Sequence, residues 1–188
     1  MPSARLAAPE DRTARLDLHR PSADDAAEAH AILSDPAVWT HHPSLRVTDP
    51  AQTERFLRTR VEAWERDGLG TWIVRERGAD EVVGFGGCGI AHDAFWNLGY
   101  RFTPAVQGRG YATEMAERAI ARARILRPEL PVVAYLVAHN GASAAVAERA
   151  GLTLVLRGPD PGNPDPAVMR LVYADRALSD AQKDATMR

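Results

Sequence analysis

The run Gln107-Gly108-Arg109-Gly110 joins a strand-like segment, 97–102, directly to a long helical pattern over about 110–126. This junction constrains the fold more than any other feature of the chain. The first amides of a helix have no internal partner, and the helix dipole places partial positive charge there. Glycines at 108 and 110 remove the Cβ atoms that would hold a diphosphate away from those amides. Arg109 adds charge, although most contact would come from the main chain. The run lacks the Gly-Lys-Ser/Thr of a Walker loop and the third spaced glycine of a dinucleotide-binding turn. On its own it specifies an anion site at a strand-to-helix junction, and nothing narrower.

The rest of the chain supplies a sheet for that junction. Residues 14–20 alternate apolar and polar, as in a half-buried strand. Pro21 breaks that run, Ser22 offers a helix cap with acidic residues behind it, and the helix stops before Pro36. Asp49-Pro50 reads as cap and first position of a second helix, which Gly68 ends. Segments 71–77, 82–90 and 95–102 read as three successive antiparallel strands, and glycines in the second of them mark a bulge or a close approach. Segment 132–137 is continuously apolar, as in a strand buried on both faces. Asn140 caps a helix to about 150, Gly151 supplies its left-handed stop, and strands at 152–156 and 168–173 close the pattern. About seven strands and four helices in this order make an α+β (mixed α/β) domain with a central sheet.

Composition limits the setting. At 188 residues, 45% hydrophobic and 26% charged, the chain is large enough for one self-sufficient core, expected over 13–177. Residues 1–12 lack the apolar stretch of a secretory signal and are expected to be disordered, and 178–188 form a polar tail. Cys88 is the single cysteine, so no intramolecular disulfide exists; a reducing cytoplasm is the expected setting, and Cys88 itself is expected in the core. A net charge of −2 argues against nucleic acid, and no segment is apolar enough for a membrane. Arginines 118, 122 and 124 read as a solvated helix face.

The junction Q-G-R-G-Y-A resembles the Gln/Arg-x-x-Gly-x-Gly/Ala motif of the GNAT superfamily of N-acetyltransferases. Asn140-Gly141-Ala142-Ser143, followed by Glu148-Arg149-Ala150-Gly151-Leu152, is similar to that family's Asn-x-x-Ser and Glu-Lys-x-Gly-Phe segment, and lies about 30 residues downstream with a strand between. R-L-D-L-H-R-P at 15–21, with D-D-A and L-S-D-P after it, looks like the RimJ/RimL-type ribosomal-protein N-acetyltransferase branch. The resemblance covers residues 15–173.

It implies a GNAT fold, in which a mostly antiparallel sheet holds one splayed parallel pair, here 97–102 and 132–137. It implies acetyl-CoA as cosubstrate and a primary amine as acceptor. The pyrophosphate would lie on Gln107, Gly108, Arg109, Gly110, Tyr111 and Ala112. The pantetheine arm would pair with the backbone of Tyr100, Arg101 and Phe102, near Asn140 and Ser143. Many members carry a tyrosine seven residues after the asparagine to protonate the departing thiolate; this chain has Ala147. Ser143 is then the candidate acid, or else it only caps the helix or bonds the pantetheine. Where the family often has a basic glutamate, this chain has Asn97, which can orient water but takes no proton. The base is therefore unassigned, with His41, His42, His92 and Asp93 as candidates. Trp39, His41 and His42 belong to a loop that lines the acceptor pocket in the related branch. Adjacent histidines diverge and make a poor metal pair, so no metal is expected. A homodimer is open as an arrangement. The competing function is a non-catalytic acyl-CoA-binding module, consistent with the missing tyrosine and glutamate. Nucleoside triphosphate binding at the glycine run is a third reading.

Overall fold

The structure is a computed structural model describing residues 8–188. Local chemistry sets its element ends. Asp49 accepts a hydrogen bond from the Ala51 amide at 3.0 Å with Pro50 in the first position, and the helix it starts, α2 (Pro50–Asp67), stops where Gly68 turns left-handed at φ 70°. The shorter α1 (Ala26–Ser34) ends two residues before Pro36, with Asp35 as its cap. Strands β1 (Asp11–Arg12), β2 (Leu16–His19), β3 (Thr71–Glu76), β4 (Val82–Ala91), β5 (Phe95–Phe102), β6 (Val132–Val137), β7 (Thr153–Pro159) and β8 (Met169–Ala174) form one eight-stranded sheet in the order β1-β2-β3-β4-β5-β6-β8-β7. Every neighbouring pair is antiparallel except β5 and β6, which are parallel. This is the mixed α/β architecture expected of a GNAT fold.

Helices cover both faces. On one face α3 (Tyr111–Leu126) and α4 (Gly141–Arg149) pack over β4, β5 and β6, and Met115, Ala116, Ala119 and Ala123 of α3 are fully buried against Trp72, Trp96 and Val132. The small residues let α3 lie close to the sheet. β4 meets it with glycines: a Cβ at Gly86 would stand 2.5 Å from the Met115 terminal methyl, and one at Gly84 would stand 2.6 Å from the Arg101 carbonyl oxygen. These glycines therefore serve close packing of helix and neighbouring strand. On the other face α1 and α2 bury Ile32, Leu33 and Leu57 against Ile73, Val82 and Phe85. Cys88 is fully buried, and burial pushes its thiol pKa up, which suits a core residue.

Both chain ends are more ordered than the sequence suggests. Residues 1–7 of the expected disordered segment lie outside the described residues, but Asp11 and Arg12 form β1. The cause is a long-range charge pairing that sequence reading assigned to solvent. Arg118 donates to Asp11 at 2.7 and 2.8 Å and Arg122 at 2.9 Å, while Arg124 holds Asp175 at 3.0 Å. The tail at 178–188 is likewise not frayed, because it contains the helix α5 (Asp180–Thr186). Ser179 and Gln182 cap that helix reciprocally, and Leu178 and Ala185 pack on Phe95, Val133 and Val172. β1 and α5 account for the strand and the helix beyond the expected numbers.

Candidate active site

β5 and β6 pair only at Trp96↔Val132 and Asn97↔Val133. Beyond that point β5 runs on to Phe102 and β6 to Val137 with no register between them, while the far edge of β6 stays paired to β8 through Val137↔Arg170. The sheet therefore opens from inside, leaving main-chain donors and acceptors on facing strand edges. Two cavities use this opening and share Tyr100, Arg101, Asn140, Ser143 and His41 as lining.

The larger cavity has a volume of about 550 Å³ and reaches from the splay to the start of α3. Gly108 and Gly110 both adopt left-handed backbone, at φ 76° and 82°, which a residue with a Cβ reaches only under strain. Nothing lies within 4 Å of where a Cβ of Gly108 would stand, so the space above it is open. Gly110 caps α3 without any side-chain hydrogen bond, so the amides of Tyr111, Ala112 and Thr113 face the cavity uncapped. Gln107 also lines it, with its amide 3.4 Å from the Phe102 carbonyl. Arg109 does not. Its guanidinium turns outward to Glu76 at 2.7 Å and lies over the Tyr111 ring, because a carboxylate on the neighbouring strand competes for it. The turn is braced from behind by Arg15, which donates to the Arg109 carbonyl at 2.8 Å and to Glu114 at 2.6 Å. Burial pushes the Glu114 pKa up, but hydrogen bonds from Thr13 and Arg15 outweigh it and hold the carboxyl below its ordinary value.

The opposite wall is the start of α4. Asn140 accepts from the Ser143 amide at 3.1 Å and so caps the helix. The Ser143 hydroxyl makes no hydrogen bond among the described residues, and Ser143 lines both cavities. Tyr100 donates its hydroxyl to the Ser143 carbonyl at 3.2 Å, and burial raises its pKa, so it stands there as a protonated donor. Ala147 is fully buried beneath.

The second cavity, about 230 Å³, lies in the splay itself, lined by Leu98–Arg101 of β5 and Ala134–Val137 of β6. His41 and His42 both line it, together with Gly99, Tyr135, Asp160 and Arg170. Trp39 does not line either cavity; it is buried, donates to the Leu33 carbonyl at 2.7 Å, and supports the Arg101 guanidinium 4.4 Å above its ring. Asn97 is also set back: its amide donates to the Tyr135 hydroxyl at 3.2 Å, so it reaches the cavity through that tyrosine. His42 is buried, 3.1 Å from Ser44 Oγ and 3.8 Å from Asp160, which in turn pairs with Arg170 at 2.6 Å. His41 has its pKa lowered to about 4, first by burial and then by Arg101, His42 and His139. His92 and Asp93 are exposed in the β4–β5 turn, at the other end of β5 from both cavities. Sequence composition nominated them, and the topology removes them.

A model of the acetyltransferase (GNAT) domain matches residues 15–153. The chain belongs to the GNAT family. It is 28% identical over 134 residues to the uncharacterized protein YkkB of Bacillus subtilis, covering 69% of this chain and 76% of that one. The structure of an acetyltransferase from Agrobacterium tumefaciens superposes with a TM-score of 0.70 at 26% identity, covering 94% of this chain and 99% of the other. An acetyltransferase from Salmonella typhimurium, described as modifying the N-terminal serine of a 50S ribosomal subunit protein, shares the fold at a TM-score of 0.71 and 18% identity, over 89% of this chain and 97% of that one.

Within this GNAT domain several lining residues escaped sequence reading. Tyr135 sits in an otherwise apolar strand, and its lone hydroxyl was the available signal. Asp160, just after β7, and Arg170, in β8, are ten residues apart and read as loop and strand charges until the hairpin folds them together. His139, 2.8 Å from the His41 carbonyl, ties the loop after β6 to the loop after α1. That contact joins residues 98 positions apart and leaves no local trace.

Proposed function

We propose that this chain transfers an acetyl group from acetyl-CoA to a primary amine, either a protein N-terminal α-amino group or the amine of a small molecule, by direct attack on the thioester. The carrying observation is the splay: one opening connects an uncapped, glycine-lined helix start to a separate second cavity. A diphosphate fits the open space over Gly108 and the amides of Gly110 to Thr113. Gln107, the exposed edges of β5 and β6, and Asn140 would hold the pantetheine. The thioester supplies an activated acyl carbon, and the protein's residues do the rest.

The amine enters from the second cavity as a neutral base. An α-amino group, with pKa near 7.7–8.0, loses its proton to water far more readily than a lysine amine near 10.4. Nitrogen bonds to the acyl carbon, a main-chain amide freed by the splay stabilises the charge growing on the acyl oxygen, and the carbon–sulfur bond breaks. The Ser143 hydroxyl, held at the mouth of α4 without a protein partner, gives its proton to the leaving thiolate and recovers one from the amine through water. Tyr100 holds the Ser143 main chain in place, and Asn97 holds Tyr135. His41, uncharged at neutral pH, lines both cavities and leaves the acceptor amine free of a like charge.

The test combines acetyl-CoA thermal stabilisation with coenzyme A release across a panel of peptides and small amines. Stabilisation with acetylated product supports transfer. Tight acetyl-CoA binding with no acylated acceptor would instead support the non-catalytic module, and stabilisation by ATP with magnesium but not by coenzyme A would overturn both.

A further inference from the structure

The second cavity carries a charge that the protein does not neutralise. Arg101 lies on the face of β5 opposite Leu98 and Phe102, which pack under α3, and it lines both cavities. Its guanidinium makes one hydrogen bond, from Nη1 to the Tyr100 carbonyl at 2.9 Å, and rests on the Trp39 ring. Its Nε is buried with no partner. No carboxylate lies in salt-bridge contact with it among the described residues, and residues 1–7 contain neither Asp nor Glu. The one carboxylate lining this cavity, Asp160, is engaged by Arg170 at 2.6 Å and faces His42 at 3.8 Å. A guanidinium cannot discharge itself by losing a proton at working pH, and a half-buried charge with no counter-ion is incompletely solvated. An incoming anion supplies the missing counter-ion.

We propose that the amine acceptor carries a carboxylate or other anion, and that Arg101 binds it in the second cavity. The inference rests on the transfer reading above. Gly99 and Arg101 share one face of β5, and two strand residues span roughly 7 Å, which sets the reach from the attacking nitrogen to the anion. A short amino carboxylate with about four carbons between amine and carboxylate meets this requirement, and so does a protein N-terminus with an acidic side chain next to it. The shared chemistry is an amine with a nearby anion.

Matched acceptor pairs decide it: 5-aminopentanoate against pentylamine for small molecules, and N-terminal peptides with Glu against Gln at the second position. The wild-type protein is expected to favour the anionic member of at least one pair by about 30-fold in kcat/KM, the scale of charge-assisted hydrogen bonds. The pair that shows the preference identifies the source of the anion. In Arg101→Met that preference falls below about 3-fold, a larger loss than any change in acetyl-CoA affinity, and Arg101→Lys retains part of it because a point charge replaces the planar fork. Equal turnover of both members of both pairs by the wild type overturns the inference and leaves the transfer reading intact. Loss of acetyl-CoA affinity in Arg101→Met with the acceptor preference unaltered overturns it too, assigning Arg101 to the donor. Acetylation of no amine whatever overturns both. The wild-type comparison stands whether or not the variants fold.

Discussion

Thr113→Glu separates the anion cradle from the helix that builds it. Thr113 lies in the first turn of α3 and lines the larger cavity. A glutamate there favours the helix, since a negative charge near the N-terminus interacts with the dipole by about 0.3–1 kcal/mol. It opposes a bound diphosphate. At roughly 5 Å and an effective dielectric of about 40, each charge pair costs ~1.7 kcal/mol, so two phosphate charges cost about 3 kcal/mol, or more than 100-fold in affinity. At a ligand concentration about 100 times the wild-type Kd, binding stabilises the wild type by about 2.7 kcal/mol; a 100-fold weaker variant gains only about 0.4 kcal/mol. For a domain of this size that is a melting shift of about 5–11 °C against about 1–2 °C. Differential scanning fluorimetry with and without acetyl-CoA reads both, and calorimetric titration gives the affinities directly. The expected result is an unliganded melting temperature equal to or above wild type with the acetyl-CoA shift lost. A variant that melts normally and keeps its full shift would refute the placement of the diphosphate on this helix start.

Ser143→Ala should lower kcat by roughly 100-fold or more with acetyl-CoA affinity unchanged, since the Asn140 cap uses the Ser143 main-chain amide and survives the substitution; steady-state kinetics and calorimetry check this. Ala147→Tyr, which restores the residue many relatives use as acid, should destabilise by about 2–3 kcal/mol because the site is fully buried, and a denaturant titration showing wild-type stability would contradict that packing. His41 has a folded pKa of about 4, below its ordinary 6.5, so the unfolded chain takes up a proton that the folded chain refuses. Stability should therefore fall as pH drops from about 6.5 towards 4, and His41→Gln should lessen that fall when unfolding midpoints are compared at pH 7 and pH 5.

The fold was legible where a local pattern carries it. The glycine turn into α3, the proline-limited ends of α1 and α2 and the antiparallel run of β3 to β5 all follow from neighbouring residues. The donor side of the site was legible for the same reason, because a strand, two glycines and a helix start are contiguous. The acceptor side was not. Tyr135, Asp160 and Arg170 come together from β6, the β7–β8 connection and β8, and neither spacing nor composition links them. The outward turn of Arg109 to Glu76 and the capture of Asp11 by Arg118 and Arg122 depend on partners far along the chain. Charged side chains were the least predictable group, since each pairs with whichever opposite charge the finished fold presents.

The central claim is that acetyl-CoA lies in the splay between β5 and β6 with its diphosphate on the start of α3. Amide hydrogen exchange with and without acetyl-CoA tests it at the level of single segments. Slowed exchange is predicted over 99–102, 108–114 and 134–137, with residues 153–159 at the far sheet edge unaffected. Protection confined to segments outside the splay, with 108–114 unchanged at saturating acetyl-CoA, would contradict it.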